Sequence, residues 1–583
     1  MKKDDLVIRI AGEAGEGVQS TGQLVTQAAA RAGYGVLTFY SPPAEIKGGP
    51  AVYQIRLSDH RLTTPGDDLD ILIAFNQEGH DRNIRVLREG GLLIYDSAEC
   101  VPEKNDSHRQ VPLPFTEIAK SEIKFERAKN MVAVGAVSAL FGLPTHHISQ
   151  LITEKFSRKG EAVLSKNLAA LQAGFRYVEE KVPERGEFIL DVSKSEENSV
   201  IVVTGNQAIS LGALAAGCTH IFGYPITPAT DILEFLASEL PKMGGDAVQA
   251  EDEISALGMV LGASFAGARA LTATSGPGFS LMIETLGLAT MAELPCVIVN
   301  VQRAGPSTGM PTRHEQGDLY IAVHGGHGES PRIVLAPVSV EDCFYQALQA
   351  FHFSEKFQTP VILLSDTALA VRNQSIARPD LSAIHPTERL RFIPGSQVGG
   401  PDHTYSRYRF TADGVSPMSA PGQAQGQYVA TGLEHVERSS PSYSPETHMQ
   451  MTEKRFRKLE LAAKEAPPVE RCGDPGSEIG IISWGSTFGV VQEAVAQAAE
   501  KGLSVEGIAP KLLWPIPDRQ LRDFVERKRI VIVAEVNYTG QFAQLLQAHF
   551  GREFHRVNAY GGTPFKVSQM LQAIEGVCAH VGK

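Results

Sequence analysis

A stretch of the chain with almost no charge most constrains how this sequence can fold. Of the 49 residues between Glu253 and Arg303, only Arg269, Glu284 and Glu293 carry a charge, whereas the chain average of 21% predicts about ten. A segment of that length with so few charged side chains has to lie in a core, because charged side chains are rarely fully buried. The two charges that border the segment therefore need a partner or a function.

The composition is that of a large globular protein. The 583 residues predict three to five domains, and 43% hydrophobic residues with a net charge of −12 exclude a disordered chain and a general nucleic-acid binder. No apolar window is long enough to span a membrane, and the N-terminus lacks a signal-peptide pattern, so we expect a soluble cytoplasmic protein. The six cysteines have no CxxC spacing, and we expect no metal or cluster site from this chain alone.

Apolar strand-like runs alternate with helical stretches, which predicts a multidomain α/β protein. We place domains at 1–190, 191–371, 372–470 and 471–583. The third segment holds ten of the 34 prolines and few aliphatic residues, and we interpret it as a long ordered crossover that wraps other domains and ends in a charged helix at 451–465. The clearest predicted strands are at 5–12, 35–40, 51–58, 69–75, 90–96 and 360–366.

A glycine-rich turn follows the first predicted strand, in AGEAGEGVQSTG. Such turns let a phosphate approach the backbone at a helix N-terminus. The glycine spacing differs from GxGxxG, however, and Glu13 and Glu16 place negative charge where a pyrophosphate would sit. The sequence is compatible with both a tight strand–helix turn and a dinucleotide site, and it favours the tight turn.

Two loops after predicted strands offer polar side chains. In YPITPAT, two prolines stiffen the backbone around Thr227, while Thr230 fits a helix N-cap. Arg303 ends the strand CVIVNVQ, where α/β sheets bind ligands, and its guanidinium suits a carboxylate or a phosphate. A surface salt bridge is the alternative for Arg303.

Two further charged residues have a structural and a functional interpretation. Glu253 opens a helix rich in small residues, so it fits either a favourable charge at the helix N-terminus or a buried carboxylate that holds the ring nitrogen of a heterocycle. Lys47 lies in the Pro/Gly loop EIKGGP, where it is either a solvated lysine or a ligand-binding one.

Taken together, the motifs YPITPAT, EDEISALGMVLGAS, TSGPGFSLMIETLG, QRAGPSTGMPT, QGDL (316–319) and AEVNYTGQ resemble the 2-oxoacid:ferredoxin oxidoreductases. The resemblance covers nearly the whole chain and points to the subunit in which a gamma domain is fused ahead of alpha. It implies an N-terminal Rossmann-like gamma domain, an α/β domain of the thiamine-diphosphate pyrimidine type, a long crossover and a C-terminal α/β domain like that of transketolase.

The resemblance also implies roles for individual residues. Glu253 matches the glutamate that pairs with the aminopyrimidine of thiamine diphosphate, and Gly262 and Gly267 follow it at the spacing found in transketolase-like pyrimidine domains. Pro225 and Thr227 match loop residues that touch cofactor and substrate, Arg303 matches the arginine that binds the 2-oxoacid carboxylate, and Lys47 matches a basic gamma-domain residue that lines the active site. Met418 stands in the crossover where the family pattern has an arginine, which puts substrate binding by that loop in doubt.

The implied activity is coenzyme A-dependent oxidative decarboxylation of a 2-oxoacid, in a reaction that can run in either direction, with electrons passed to ferredoxin. The GDG signature for Mg²⁺ and diphosphate does not occur in the sequence. The resemblance therefore implies a beta subunit that carries the Mg²⁺ site and a [4Fe-4S] cluster, in an (alpha-beta)2 assembly that shares the thiamine diphosphate. The gamma–alpha fusion and the crossover pattern favour 2-oxoglutarate as the substrate, followed by pyruvate or a broad range of 2-oxoacids. A nucleotide-dependent oxidoreductase and a non-catalytic scaffold subunit are the alternatives.

Overall fold

The computed structural model of the chain describes residues 5–41, 48–104, 106–182, 200–395 and 405–581. They form two compact units, one from Met1–Val203 with Val371–Arg378 and the other from Thr204–Ala370 with Pro379–Lys583. Lys47 and the predicted boundary near 190 lie outside the described residues. The division into four domains stays a prediction.

An eight-stranded mixed sheet, in the order β6-β5-β4-β1-β3-β2-β14-β7, forms the centre of the first unit. β1, β4, β5 and β6 are parallel, and β3 pairs antiparallel with both β1 and β2. The strands are β1 Asp5–Glu13, β2 Gly35–Ser41, β3 Pro50–Ser58, β4 Leu69–Ala74, β5 Leu87–Asp96, β6 Arg109–Leu113, β7 Val200–Thr204 and β14 Asn373–Ala377. The helices are α1 Val18–Arg31, α2 Gln77–Asn83, α3 Phe115–Glu117, α4 Lys129–Phe141, α5 Thr145–Phe156 and α6 Glu161–Lys181.

Two glycines set the helix packing in this unit. A Cβ atom at Gly135 of α4 would lie 2.0 Å from the Leu171 carbonyl oxygen, and one at Gly174 of α6 would lie 2.0 Å from the Val132 carbonyl oxygen. The two helix backbones therefore touch directly, which only glycine allows at these positions. The central strand β4 is buried along its whole length, as its unbroken apolar sequence predicts.

A seven-stranded sheet in the order β18-β12-β13-β11-β10-β8-β9 carries the first part of the second unit. All pairs are parallel except the β12–β18 pair at the edge. Its strands are β8 His220–Gly223, β9 Asp246–Gln249, β10 Ala270–Thr274, β11 Cys296–Gln302, β12 Ile333–Leu335, β13 Pro360–Asp366 and β18 Leu512–Trp514. The helices are α7 Gly205–Ala215, α8 Thr230–Glu239, α9 Glu253–Phe265, α10 Gly276–Met291, α11 Leu319–His324, α12 Val340–Phe357 and α13 Thr367–Ala370.

A five-stranded sheet in the order β15-β17-β16-β19-β20 forms the C-terminal part of the same unit. It is parallel apart from the edge strand β15. The strands are β15 Glu470–Gly473, β16 Ile479–Ser483, β17 Glu506–Ala509, β19 Ile530–Glu535 and β20 His555–Asn558, and the helices are α14 Pro445–Lys464, α15 Thr487–Glu500, α16 Asp518–Arg527, α17 Gln541–Phe550 and α18 Val567–Val581. The predicted α/β class is confirmed.

Polar side chains attach the crossover to the core of the second unit. Arg389, buried, forms two hydrogen bonds to the Glu355 carboxylate of α12 at 2.7 and 2.9 Å and donates to the Ser264 carbonyl oxygen near the end of α9 at 2.6 Å. Met418 is also buried, and its sulfur lies 3.5 Å from Nη1 of Arg389. Met418 is therefore a packing residue that contacts the crossover's own arginine.

A buried ion cluster fixes α14, which begins at Pro445 rather than at the predicted residue 451. The Glu293 carboxylate, just beyond α10, accepts hydrogen bonds from Nζ of Lys454 at 2.5 and 2.7 Å and from Nζ of Lys458 at 2.6 Å. Arg407 of the crossover donates to the Glu293 carbonyl oxygen at 2.6 Å. Two buried lysines thus bind the Glu293 carboxylate and a buried arginine binds its main chain, which attaches both the crossover and α14 to the core.

No helix among the described residues combines the length and the apolar character needed to cross a lipid bilayer.

Candidate active site

The carboxyl ends of four neighbouring strands bring the predicted site residues to one edge of the seven-stranded sheet. β8 is followed by the loop 224–229, β9 by Glu253, β10 by the first turn of α10, and β11 by Arg303. Because these strands are parallel and adjacent, the segments that follow them lie at the same edge. The edge is where an α/β sheet of this kind binds its ligands.

Arg303 reaches across this edge to the loop after β8. Its Nη1 donates to the Thr227 carbonyl oxygen at 2.7 Å, and its side chain is only 8% exposed. Nε of Arg303 has no hydrogen-bond partner among the residues that the structure describes. Burial lowers the pKa of the Arg303 guanidinium, while the negative charge of Asp318 opposes that shift. A half-satisfied buried guanidinium is suited to bind an anionic group.

Glu253 is the first residue of α9 and is 6% exposed. The preceding residue, Asp252, caps the helix by accepting a hydrogen bond from the Ser255 main-chain N–H at 2.7 Å. Glu253 is thus not needed as the cap, and its carboxylate has no hydrogen bond or ion pair within the described part of the chain. Since a buried carboxylate without a partner is costly, Glu253 is a candidate for contact with a ligand.

The first turn of α10 makes room for the Glu253 carboxylate. A Cβ atom at Gly278 would lie 2.3 Å from Oε1 of Glu253 and 2.2 Å from Oγ1 of Thr274. The buried hydroxyl of Ser275, the residue before this turn, has no hydrogen-bond partner among the described residues. The TSGPG sequence therefore places one glycine against the carboxylate and an unsatisfied hydroxyl at the start of the same turn.

Polar residues that carried no role in the sequence analysis also lie at this edge. Nδ2 of Asn300, in the middle of the apolar β11, donates to Oδ2 of Asp318 at 3.0 Å. Oε1 of Gln302 accepts from the Asp318 main-chain N–H at 3.0 Å. Two amide side chains within the otherwise apolar run CVIVNVQ were the available sequence signal for this arrangement.

Gln316 connects the loop after Arg303 to the C-terminal sheet. Its Nε2 donates to the Trp484 carbonyl oxygen at 3.0 Å, and its Oε1 accepts from the Val536 main-chain N–H at 3.0 Å and from Oγ1 of Thr487 at 3.1 Å. The Asn537 side chain donates to the Gln316 carbonyl oxygen at 3.1 Å. One buried side chain therefore fixes the QGDL segment against the loops that end β16 and β19.

Three family models match this chain. The model described as "Pyruvate flavodoxin/ferredoxin oxidoreductase, thiamine diP-bdg" matches residues 211–454, "Pyruvate ferredoxin/flavodoxin oxidoreductase" matches 7–177, and "Pyruvate:ferredoxin oxidoreductase core domain II" matches 477–570. The 2-oxoglutarate oxidoreductase subunit KorA of Mycobacterium tuberculosis is 34% identical over 99% of this chain and 92% of its own length. The chain belongs to the 2-oxoacid:ferredoxin oxidoreductases.

Other members of the 2-oxoacid:ferredoxin oxidoreductases match over similar lengths. Subunit alpha of 2-oxoacid:ferredoxin oxidoreductase 2 from Aeropyrum pernix is 33% identical over 94% of this chain and 93% of its own. The solved structure of the Magnetococcus marinus 2-oxoglutarate:ferredoxin oxidoreductase, which has 2-oxoglutarate, coenzyme A and succinyl-CoA bound, is 42% identical with a TM-score of 0.93. That match covers 99% of this chain and 100% of the matched chain.

The predicted site residues of this chain lie in different environments. Arg303 and Thr227 are in contact, Glu253 lies against the first turn of α10, and Pro225 is exposed in the loop after β8. Thr230 is the first residue of α8 and does not cap it, because the N-cap is Ala229 and no side chain bonds there. The predicted cap at Thr230 was therefore wrong.

The glycine-rich turn of the first unit is filled by the chain's own side chains. Oε2 of Glu16 accepts from the Glu13 main-chain N–H and from Nδ2 of Asn76, both at 2.7 Å. Oε1 of Glu16 pairs with Nζ of Lys129 at 3.1 Å. A carboxylate thus occupies the place beside the turn that a phosphate would need, which favours the interpretation as a structural turn.

The described part of the chain offers no ready metal site. In the parts of the chain that it describes, no three His, Cys, Asp or Glu side chains are grouped so that they could hold a metal ion. Four of the six free cysteines, Cys100, Cys218, Cys296 and Cys343, are buried. Burial raises the pKa of the Cys218 and Cys296 thiols to about 12, so both stay protonated at neutral pH.

Proposed function

We propose that this chain is the gamma–alpha subunit of a thiamine-diphosphate-dependent enzyme that oxidatively decarboxylates 2-oxoglutarate to succinyl-CoA and CO₂. Electrons then pass to ferredoxin through an iron–sulfur cluster on a partner subunit. The observation that carries the proposal is the Glu253 carboxylate, which is buried, lacks a partner within the described residues and faces a glycine turn. Pyruvate, or a broad range of 2-oxoacids, is the second candidate substrate.

The residues around Glu253 fit the aminopyrimidine end of thiamine diphosphate. Gly278 leaves space where any side chain would strike the carboxylate, and the nearby Ser275 hydroxyl is free to form a hydrogen bond. Bound there, the cofactor would supply a nucleophilic carbon and an electron sink for decarboxylation. Glu253 would hold a ring nitrogen and, through that hydrogen bond, bias where the proton lies on the aminopyrimidine.

Arg303 and Thr227 suit the anionic end of the substrate. The Arg303 guanidinium is buried at the carboxyl end of β11 and retains a free Nε donor. Its contact with the Thr227 main chain fixes its direction, so a 2-oxoacid carboxylate bound to it would be oriented as well as attracted. The bound 2-oxoglutarate and succinyl-CoA of the Magnetococcus relative support 2-oxoglutarate as the substrate. Lys47 as a further substrate-binding residue stays a prediction.

A partner subunit would complete the site. The sequence lacks the GDG motif for Mg²⁺ and diphosphate, and the aminopyrimidine contact alone is too small to hold the cofactor. Next to Glu253, helices α9 and α10 expose an apolar face: Ile254 is 49% exposed, Met259 39%, Leu281 51% and Leu288 39%. We assign this face to the beta subunit that carries Mg²⁺ and the [4Fe-4S] cluster, in an (alpha-beta)2 complex in the cytoplasm.

The test is reconstitution of the isolated chain with its beta subunit. The isolated chain should be colourless, contain no stoichiometric iron or sulfide, and not oxidise 2-oxoacids even with thiamine diphosphate, Mg²⁺ and coenzyme A. Addition of the beta subunit should restore colour, cofactor binding and turnover together, fastest with 2-oxoglutarate in a panel of 2-oxoacids. Substantial turnover by the isolated chain would contradict the proposal.

The matched variant is Glu253→Gln, which keeps the size and hydrogen-bonding capacity of the side chain. Assembly with the beta subunit should be unchanged, while turnover should fall by about 100-fold or more, because the amide no longer favours the required proton position. Near-wild-type turnover in this variant would show that Glu253 does not contact the cofactor. The same result would support the alternative that the chain is a non-catalytic scaffold subunit.

A further inference from the structure

Asn206, near the start of α7, is a buried polar residue to which the proposed function gives no role. Helix α7 begins at Gly205, and its N-cap is Thr204, whose side chain accepts a hydrogen bond from the Gln207 main-chain N–H at 3.1 Å. The cap therefore does not need Asn206, although the Asn206 side chain is 0% exposed. A polar side chain that is fully buried without a role in its own helix requires another explanation.

The Asn206 amide uses its donor group and leaves its acceptor unused. Nδ2 of Asn206 donates to the Pro228 carbonyl oxygen at 2.8 Å, and the side chain also hydrogen-bonds to the carboxyl group of Asp231 in the first turn of α8. Oδ1 of Asn206 is buried and has no hydrogen-bond partner among the described residues. Because an unsatisfied buried acceptor costs free energy, the contribution of this amide lies in its donor, which is directed at the loop before α8.

The loop that receives this hydrogen bond is poor in main-chain donors. It is the segment 224–229 between β8 and α8, and two of its six residues are prolines, which have no N–H group. The main-chain N–H groups of Ala229 and Thr230 both donate to the Ile226 carbonyl oxygen, at 2.8 and 3.1 Å. The middle of the loop therefore depends on side chains that bind its carbonyl groups.

Two side chains from different elements bind neighbouring carbonyl groups of this loop. Nδ2 of Asn206, on α7, donates to the Pro228 carbonyl oxygen at 2.8 Å, and Nη1 of Arg303, directly after β11, donates to the Thr227 carbonyl oxygen at 2.7 Å. Because the two carbonyl groups belong to consecutive residues, a shift of the main chain at Pro228 also moves the oxygen that Arg303 binds. Asn206 therefore fixes the oxygen atom that sets the direction of the Arg303 guanidinium.

We propose that Asn206 is a positioning residue for 2-oxoacid binding: it holds the loop to which Arg303 is bound, through the Pro228 carbonyl group. This inference rests on the proposed substrate role of Arg303. Without the Asn206 donor, the loop should move more freely, and the guanidinium should meet the substrate carboxylate in a wider range of orientations. Substrate affinity should then fall, although every group that contacts the substrate is still present.

The first test is kinetic and uses the enzyme reconstituted with its beta subunit. Asn206→Leu keeps the approximate size of the side chain without its donor, and KM for 2-oxoglutarate should rise about threefold to tenfold. In an Arg303→Ala background the same change should have almost no further effect on KM, because the residue through which Asn206 acts is gone. The control Gln520→Leu removes an amide hydrogen bond of the same length, to the Ala466 carbonyl oxygen at 2.8 Å, and should leave KM unchanged.

The second test is hydrogen exchange, which follows the loop directly and needs no turnover. A peptide that covers 224–230 should exchange faster in Asn206→Leu than in the wild type, and at the wild-type rate in Gln520→Leu. Asn206→Ala, which adds no bulk at the buried site, should give the same exchange and the same rise of KM. Together the two Asn206 variants separate the loss of the donor from the fit of the leucine side chain.

The outcomes distinguish this inference from the proposed function. Unchanged KM in both Asn206 variants, unchanged exchange of the loop, or a full KM effect in the Arg303→Ala background would overturn the role of Asn206. If Arg303→Ala alone leaves KM unchanged, the proposed substrate role of Arg303 fails, and this inference fails with it. If Arg303→Ala raises KM while the Asn206 variants behave as the wild type, only this inference fails.

Discussion

Arg303 and Lys454 are two buried cations with opposite surroundings. Arg303 has one hydrogen bond to a main-chain oxygen and an unused Nε. Lys454 donates twice to the Glu293 carboxylate but shares it with Lys458. A buried cation that lacks a full counter-charge either is available to bind an anionic ligand or has a lowered pKa. Arg303 fits the first description, and Lys454 fits the second.

Replacing Arg303 tests the first description. In the reconstituted enzyme, Arg303→Ala should raise KM for 2-oxoacids about tenfold or more and lower kcat, because the guanidinium both attracts and orients the carboxylate. Arg303→Lys keeps the charge but loses the fork of donors, so it should restore only part of the affinity. Equal kinetics for the alanine and lysine variants would mean that charge at this position is unimportant.

The pH dependence of stability tests the second description. Burial, together with the charge of Lys458, outweighs the attraction of Glu293 and lowers the pKa of Lys454 to about 7. The unfolded chain, where a lysine has its ordinary pKa of 10.5, binds more protons than the folded one above pH 7, so stability from this group should increase with pH. The wild-type Tm should rise by about 2 °C or more from pH 7 to 9.

Two variants isolate this contribution. Lys454→Met should flatten the rise of Tm with pH, because the titrating group is gone. Lys464→Met, a change at an exposed lysine near the end of α14, should keep the wild-type slope. A Lys454→Met protein with an unaltered slope would show that the titration lies elsewhere.

At the scale of secondary-structure elements, the N-terminal turns of α9 and α10 together form the proposed site for the aminopyrimidine. α9 brings a carboxylate that its own cap does not need, and α10 brings a turn in which Gly278 leaves room for it. The two helices follow β9 and β10, which lie on either side of β8 in the seven-stranded sheet. The position of the Glu253 carboxylate therefore depends on the distance between the first turns of α9 and α10.

Gly278→Ala tests this dependence. The added methyl group would displace the Glu253 carboxylate and the Thr274 hydroxyl, both of which are side-chain atoms that can move. Turnover of the reconstituted enzyme should fall by about tenfold to 100-fold, while Tm should change little. Gly576→Ala in α18, where a Cβ atom meets nothing within 4 Å, should leave both unchanged. A fully active Gly278→Ala enzyme would mean that the Glu253 position is not critical.

Regular elements could be predicted from the sequence because each depends on local pattern. The apolar runs at 5–12, 51–58 and 69–75 became β1, β3 and β4, and the uncharged stretch after Glu253 became α9, β10, α10 and β11. Asp318 and Gln316 were part of a quoted motif but had no assigned contact. Gln316, for example, bonds to Asn537, which is 221 residues away in the chain. Sequence periodicity does not indicate which distant side chains form such hydrogen bonds.

At the scale of the whole molecule, one face of α9 is apolar and uncovered. The stripe Ile254, Gly258 and Gly262 on α9 lies open, since a Cβ atom at either glycine meets nothing within 4 Å. Because the glycines carry no side chain, this apolar face allows close approach of a second protein. Exposure of an apolar face of this kind to water is unfavourable. Because this face lies next to Glu253, the proposed function predicts that assembly with the beta subunit and catalysis are lost together.

Ile254→Asp tests this link. A charge at the centre of the proposed interface should abolish stable association with the beta subunit, measured by gel filtration or light scattering, and turnover should be lost with it. The isolated variant should keep the wild-type Tm, because the side chain is half exposed. Tyr443→Asp, at an apolar side chain that is 90% exposed in the crossover, serves as the control and should assemble normally. Assembly of Ile254→Asp at wild-type affinity would place the interface elsewhere.

The ion cluster around Glu293 has a consequence for how the chain is made. Glu293 leaves the ribosome 161 residues before Lys454 and 165 before Lys458, which at about 5–20 residues per second is a delay of roughly 8–30 s. During that interval a carboxylate destined for the core has no lysine to neutralise it. The core around Glu293 should therefore stay incompletely packed until α14 is synthesised, and a nascent chain arrested before 454 should stay open to protease and to chaperones.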